Sequence, residues 1–144
     1  MKALIARENG VAFEEIGNDD LPKGGVTIDV GANNGMYAIP FAPAASRLVA
    51  FDANPVMCDW LRSELPRSVT VENLALADDE RRIVLRIPII GGAEIAGMAT
   101  IAEANNFADF DVDRTRQIEV QTTSLDKYAA ERLRGQTVTF VKID

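Results

Sequence analysis

The residues that could take part in chemistry lie in two neighbouring segments, VTIDVGANNGMY and VAFDANP. Asp29 comes just before Gly31 and Gly35, and Asp52 ends the next apolar run, about twenty residues past Gly31. Glycines let a ligand lie against the backbone, and an acid at the second position can accept hydrogen bonds from both hydroxyls of a ribose. Asp29 can accept hydrogen bonds from the loop or from a ligand's ammonium group. The pattern therefore predicts a site for a ligand that contains adenosine.

The spacing of the glycines separates two classes of adenosine ligand. Dinucleotide-binding loops carry G-x-G-x-x-G, whereas here Asn33 stands where the middle glycine would be, between Gly31 and Gly35. The Asn33 side chain disfavours the close approach of a pyrophosphate. The loop therefore favours S-adenosylmethionine, which has no phosphate, over a nicotinamide dinucleotide.

Such a site needs strands that end at one edge of a sheet. Nearly continuous apolar stretches predict strands at 26–30, 48–52, 69–73 and 137–143. Strands of this kind that alternate with helices indicate right-handed crossovers and a parallel sheet covered on both faces. The predicted fold class is α/β with a doubly wound, mainly parallel sheet, and its ligands are expected at the carboxyl ends of the strands.

Helices are predicted between these strands and before the last one. The segment 54–66 has Asn54 as its cap and a proline at its first position, and 123–135 is a second capped helix. Pro40 should keep the helix after the glycine loop short. The face of helix 54–66 expected to pack on the sheet consists of Val56, Met57, Trp60 and Leu61.

Outside the parallel part, the alternating stretches 81–89 and 116–125 suit antiparallel strands that flank a glycine-rich loop at 91–97. Near the start of the chain, the Asn9-Gly10 pair is typical of a two-residue hairpin turn. We therefore divide the chain into a lead-in with a possible hairpin and linker, 1–24, and a cofactor-binding domain, 25–144.

Composition narrows the function further. The 144 residues carry a net charge of −7, no histidine and one cysteine. The negative charge argues against nucleic acid or an anionic membrane as a partner. Without histidine, the usual zinc ligand and general base are missing, so no metal site is expected, and Cys58 is interpreted as a helix residue rather than a nucleophile. No signal-peptide layout or membrane-spanning apolar run is present, which predicts a cytoplasmic protein.

The order of the motifs resembles one family. The blocks IDVGANNGMYAIPFA, VAFDANP, VENLALADDE, VQTTSLDKY and FVKID follow one another as in the FkbM-type methyltransferases, a branch of the class I, Rossmann-like methyltransferase fold, over roughly 25–144. The resemblance implies S-adenosylmethionine as cofactor and O-methylation of a hydroxyl on a small molecule or saccharide. It also implies cofactor-binding roles for Asp29, Gly31, Asn33, Gly35, Asp52, Asn73 and Ala75.

The family usually continues beyond KID with further strands, so the chain is interpreted as truncated at its C-terminus. Asp144 follows the last core strand and is the candidate base that removes the acceptor's proton. If 138–143 forms an edge strand, it could pair with a second copy and produce a homodimer. Two alternatives stay open: a nicotinamide-dependent oxidoreductase and a noncatalytic adenosine-binding module.

Overall fold

The computed structural model describes residues 3–5, 14–16, 24–101 and 107–143. Asp144 and the Asn9-Gly10 turn lie outside these described residues. The described strands are β1 (Ala3–Ile5), β2 (Glu14–Ile16), β3 (Val26–Val30), β4 (Arg47–Phe51), β5 (Thr70–Glu72), β6 (Ala75–Leu76), β7 (Arg82–Ile90), β8 (Ala93–Glu94), β9 (Arg114–Thr123) and β10 (Val138–Ile143). The helices are α1 (Ala38–Phe41), α2 (Pro55–Glu64) and α3 (Leu125–Arg132), with a short 3-10 helix at Ala96–Met98.

The central sheet has the strand order β10-β3-β4-β5, and all of its pairs are parallel. Val30 at the end of β3 is in register with Phe51 on one side and with Ile143 on the other. The carboxyl ends of these strands therefore meet at one edge. This confirms the parallel sheet predicted from the apolar runs.

Both faces of the sheet are covered, because side chains alternate along each strand. Leu48 and Ala50 of β4 pack with residues of α1 and α2, including Phe41 and Leu61. Val49 and Phe51 point to the opposite face, in a cluster that includes Tyr128 of α3 and Leu133, the residue that follows this helix. Burying each large apolar side chain of these clusters stabilises the fold by about 1.5–3 kcal/mol. The protein is thus a three-layered α/β structure around β3 and β4.

A second sheet, of order β6-β9-β7-β8, follows the central one. β7 and β9 are antiparallel, as predicted, with registers from Arg82↔Gln121 to Ile89↔Arg114. The stretch expected to be only a glycine-rich loop also contains β8 and the 3-10 helix, because residues 93 and 94 pair back onto β7. The second sheet buries Leu85 and its neighbours in a cluster of their own, which Ala53 contacts.

The helix α2 begins as the sequence predicts but exposes part of the face that was expected to be buried. The side chain of Asn54 accepts a hydrogen bond from the Val56 amide at 3.1 Å. The buried face is formed by Cys58 and Leu61, whereas Val56 and Trp60 are each 47% exposed, so the predicted face was wrong for these two residues. Trp60 lies at the helix flank, where its indole donates to the Asn34 carbonyl at 3.3 Å.

At the other elements, local signals are confirmed. α1 has only four residues, as expected with Pro40 inside it, and Ser124 caps α3 by accepting from the Lys127 amide. β1 and β2 pair antiparallel, from Ala3↔Ile16 to Ile5↔Glu14, and the two-residue turn predicted at Asn9-Gly10 stays a prediction because it lies outside the described residues. No helix among the described residues is long and apolar enough to cross a membrane.

Candidate functional site

A cavity of about 540 Å³ opens at the carboxyl edge of the central sheet. This volume lies within the range of typical small-molecule sites. One wall is formed by the ends of β3 and β4 and the start of α2. The other wall is formed by 74–76, by Leu85 of β7 and by parts of the segment 96–101. The cavity therefore lies between the two sheets, at the edge where ligands bind in parallel α/β structures.

Asp52 is held rigidly on the first wall. Its Oδ2 accepts a hydrogen bond from the Asn33 amide at 2.7 Å, and its Oδ1 accepts one from the Asn54 amide at 2.8 Å. Burial raises the pKa of Asp52, while the two amides and the nearby Lys142 charge oppose that shift. Because each carboxylate oxygen has a second lone pair, Asp52 can still accept hydrogen bonds from two ligand hydroxyls.

The glycine loop owes its shape to contacts with β4. The amides of Gly31 and Ala32 both donate to the Phe51 carbonyl at 2.9 Å. Gly31 and Asn33 have φ of +71° and +46°, a left-handed conformation that glycine adopts freely and asparagine tolerates. Both residues line the cavity, so the loop presents backbone as well as the Asn33 side chain to a ligand.

Gly35, the second glycine of the motif, is set back from the cavity wall. Its φ is +81°, and a Cβ placed on it would lie 3.1 Å from side-chain atoms of both Ile39 and Leu61. The lack of a side chain at this position lets the loop pack against α1 and α2. Gly35 therefore contributes to the site by fixing the direction of the chain after the loop.

The structure places Asp29 against a lysine and not on the cavity wall. Asp29 is fully buried in β3, and Lys142 is its register partner on β10. The Lys142 Nζ lies 3.3 Å from the Asp29 Oδ1. The charge of Asp29 is therefore balanced from within the protein.

Asn73 and Ala75 have different positions in the site. The Asn73 side-chain amide donates to the carbonyls of Asp52 and Ala53, both at 3.0 Å, so it supports the turn that carries Asp52. Ala75 lines the cavity directly. Cys58 also contacts the Asp52 carbonyl, at 3.2 Å, and burial raises the pKa of its thiol to about 11. That value fits the interpretation of Cys58 as a structural residue.

Of the second wall, the sequence analysis named only Ala75 and did not identify the segment 96–101 as part of the site. Arg86 and Thr100 exchange two backbone hydrogen bonds of 2.9 Å, which hold the segment 96–101 beside β7. This brings Gly97 so close to the glycine loop that a Cβ on Gly97 would lie 3.5 Å from the Asn33 Nδ2. The glycine and small residues of the segment were visible, but nothing local indicates which surface they face.

The cavity's chemistry fits an adenosine cofactor without phosphates. Asp52 is the one ionisable side chain among the described residues that line it, and the remainder includes apolar side chains such as Leu74, Leu76 and Leu85. A pyrophosphate is commonly bound by lysine or arginine, and the described residues that line the cavity include neither. The residues fit a ribose and an apolar ring.

Comparison with known proteins gives a family match over the region that contains the site. The family model described as "Methyltransferase FkbM domain" matches residues 29–144, which is most of the chain and includes the glycine loop, Asp52 and both walls of the cavity. Searches of curated proteins and of solved structures found no significant match.

Proposed function

The chain belongs to the FkbM methyltransferase family, and from this premise we propose that it binds S-adenosylmethionine in the cavity between its two sheets. We further propose that it transfers the methyl group to a hydroxyl of a small molecule or saccharide. The observation that carries the proposal is Asp52, whose two carboxylate oxygens are fixed by backbone amides on the wall of a cavity of suitable size.

Each wall has a distinct task in this proposal. Asp52 accepts hydrogen bonds from the ribose hydroxyls, and the backbone around Gly31 and Asn33 lies along the rest of the cofactor. Ala75 and its apolar neighbours contact the adenine. When bound, S-adenosylmethionine supplies an electrophilic methyl group, and the protein's contribution is to hold the acceptor oxygen in line with it.

The arrangement of the central sheet supports a class I methyltransferase fold. The order β10-β3-β4-β5 puts the glycine loop after an inner strand, and helices cover both faces of the adjacent strand β4. Fold alone does not assign an activity. The proposed activity therefore rests on the family and on the cavity.

We propose Asp144 as the base that accepts the proton of the acceptor hydroxyl. It directly follows Ile143, whose register partner is Val30 at the cavity wall. A carboxylate can accept this proton while the new carbon–oxygen bond forms. With an acceptor selected from a panel of hydroxylated metabolites and sugars, Asp144→Asn should lower turnover without changing cofactor affinity. Unchanged turnover would remove Asp144 from this role.

Calorimetric titration with S-adenosylmethionine and S-adenosylhomocysteine tests the cofactor. We expect binding by the natural chain, and Asp52→Ala should weaken it by about ten- to a hundredfold, since a hydrogen bond to a charged group contributes about 1.5–3 kcal/mol. The matched control is Asp59→Ala, which removes an exposed acid of α2 that pairs with Arg62, and it should bind like the natural chain.

A parallel titration with NADH tests the nicotinamide alternative. Binding of NADH in place of S-adenosylmethionine by a folded sample, with circular dichroism as the check of folding, would overturn the proposed cofactor. An equal loss of affinity in Asp52→Ala and Asp59→Ala would contradict the role given to Asp52.

A further inference from the structure

Lys142 lies behind the glycine loop and contacts several of its groups at once. Besides its ion pair with Asp29, its Nζ donates to the carbonyls of Val30 at 3.3 Å and Gly31 at 3.2 Å. The same ammonium lies 4.6 Å from the centre of the Tyr37 ring, within range of a cation–π interaction. One side chain of β10 thus contacts the end of β3, the first glycine and the residue before α1.

These contacts are made away from water. The Lys142 side chain is 10% exposed and that of Asp29 is fully buried. Solvent therefore screens this ion pair much less than the surface pairs, such as that of Lys127 with Glu80, whose side chains are 43% and 48% exposed. If the Lys142 charge were removed alone, Asp29 would remain as a buried carboxylate without its counter-charge.

The loop is held from both sides. On the β4 side, the amides of Gly31 and Ala32 donate to the Phe51 carbonyl, and the Asn33 amide donates to Asp52. On the β10 side, Lys142 binds the carbonyls of Val30 and Gly31. The Gly31 peptide is thus fixed through its amide on one side and its carbonyl on the other.

We propose that Lys142 is a positioning residue for cofactor binding, which holds the glycine loop in the shape that keeps the Asn33 amide on Asp52. This inference rests on the proposed function, because the cofactor is S-adenosylmethionine. Lys142 also balances Asp29, so that Asp52 alone presents an acidic side chain to the cavity within the described residues. Asp29, the acid in the glycine motif, then supports the loop from within the protein, and Asp52, the acid after β4, binds the ligand.

Two variants separate loop positioning from charge balance. Lys142→Met removes the ammonium and leaves Asp29 charged, whereas the double variant Asp29→Asn/Lys142→Met removes both charges. We expect Lys142→Met to lower the melting temperature measured by circular dichroism. The double variant should recover much of that loss. Its calorimetric affinity for S-adenosylhomocysteine should nevertheless remain at least about tenfold weaker than that of the natural chain, because the two carbonyls still lack their donor.

Lys127→Met is the matched control, since it removes an exposed lysine from α3, and its affinity should equal that of the natural chain. An affinity in the double variant equal to that of the natural chain would overturn the positioning role, because charge balance alone would then explain Lys142. If Lys142→Met does not fold, the double variant decides the matter by itself.

Amide hydrogen exchange of residues 31–33 in the ligand-free protein tests the same role without the cofactor. We expect faster exchange in the double variant, while the amides of α3 keep their protection. Exchange equal to that of the natural chain would overturn the inference. If the natural chain binds neither S-adenosylmethionine nor S-adenosylhomocysteine, the proposed function fails, and the exchange result still decides whether Lys142 holds the loop.

Discussion

The two walls of the cavity are built by different means. On the central sheet, the Gly31 amide donates to the Phe51 carbonyl, and the amides of Asn33 and Asn54 donate to the carboxylate of Asp52, which carries the charge of this wall. On the second sheet, the segment 96–101 contributes backbone and small or apolar side chains, held by the bridge between Arg86 and Thr100. The first wall therefore supplies directional hydrogen bonds, and the second supplies the shape of the cavity. Substitutions in the two walls should therefore weaken cofactor binding for different reasons.

The largest effect is expected from filling the cavity at the second wall. Gly97 does not have a positive φ, and an added Cβ would only reach ordinary contact with Asn33. Gly97→Leu should therefore fold but lose about ten- to a hundredfold in cofactor affinity, equivalent to ~1–3 kcal/mol of overpacking in the bound state. Gly97→Ala is the control and should retain most of the affinity. Calorimetry that shows equal affinity for both variants would mean that this wall does not contact the cofactor.

A smaller effect is expected from pH, and it should be specific to the first wall. Burial raises the pKa of Asp52 above its ordinary value of 3.8, and the proposed hydrogen bonds from the ribose hydroxyls require its ionised form. Affinity should therefore fall as pH decreases through that raised pKa, to about one-tenth, because a neutral acid accepts hydrogen bonds less strongly. Titrations between pH 7 and pH 4 check this.

The contribution of Asp52 to the stability of the fold changes with pH in the direction opposite to its contribution to cofactor affinity. An acid with a raised pKa in the folded state stabilises the fold fully below its unfolded pKa, and that contribution is lost as pH rises through the folded pKa. Acidification should thus weaken binding without loss of the Asp52 contribution to stability. Asp52→Asn is the control, and a pH dependence of affinity that persists in this variant would assign the effect to another group.

A several-fold loss of cofactor affinity is expected for Asn73→Ala, because Asn73 supports the turn that carries Asp52 on the first wall. The variant removes two hydrogen bonds to the carbonyls of Asp52 and Ala53. Unfolding by urea should show a loss of about 1–3 kcal/mol in the free energy of unfolding, at about 0.5–1.5 kcal/mol per bond. If stability falls while affinity does not change at all, Asn73 supports the fold but not the position of Asp52.

The smallest effect on the cavity is expected at the exposed residue Val141 of β10, a strand for which we propose pairing with a second copy. This strand lies at the edge of the described sheet, and Val141 and Ile143 are exposed, the latter to 69%. Charged side chains on an edge strand oppose such pairing. Val141→Lys should therefore abolish self-association in light scattering and leave cofactor affinity unchanged. A natural chain that is monomeric at high concentration would contradict the proposal.

Local patterns were sufficient for much of the first wall. The apolar run of β3, the glycines of the loop, the cap at Asn54 and the position of Asp52 after β4 are all properties of short segments. The face of α2 was misjudged at Val56 and Trp60, since helical spacing shows which residues share a face but not how much of that face the sheet covers. The exposed part of α2 depends on its neighbours.

The amino-acid sequence by itself determined the order of the elements, the position of the glycine loop and the acid that faces the cavity, because strand and turn preferences act over a few residues. Only the tertiary structure decided that Lys142 is the partner of Asp29 and that Gly97 closes the cavity over Asn33. These pairs are separated by more than sixty residues along the chain. Their contacts depend on strand order and register, which result from the packing of the whole domain and from no single segment.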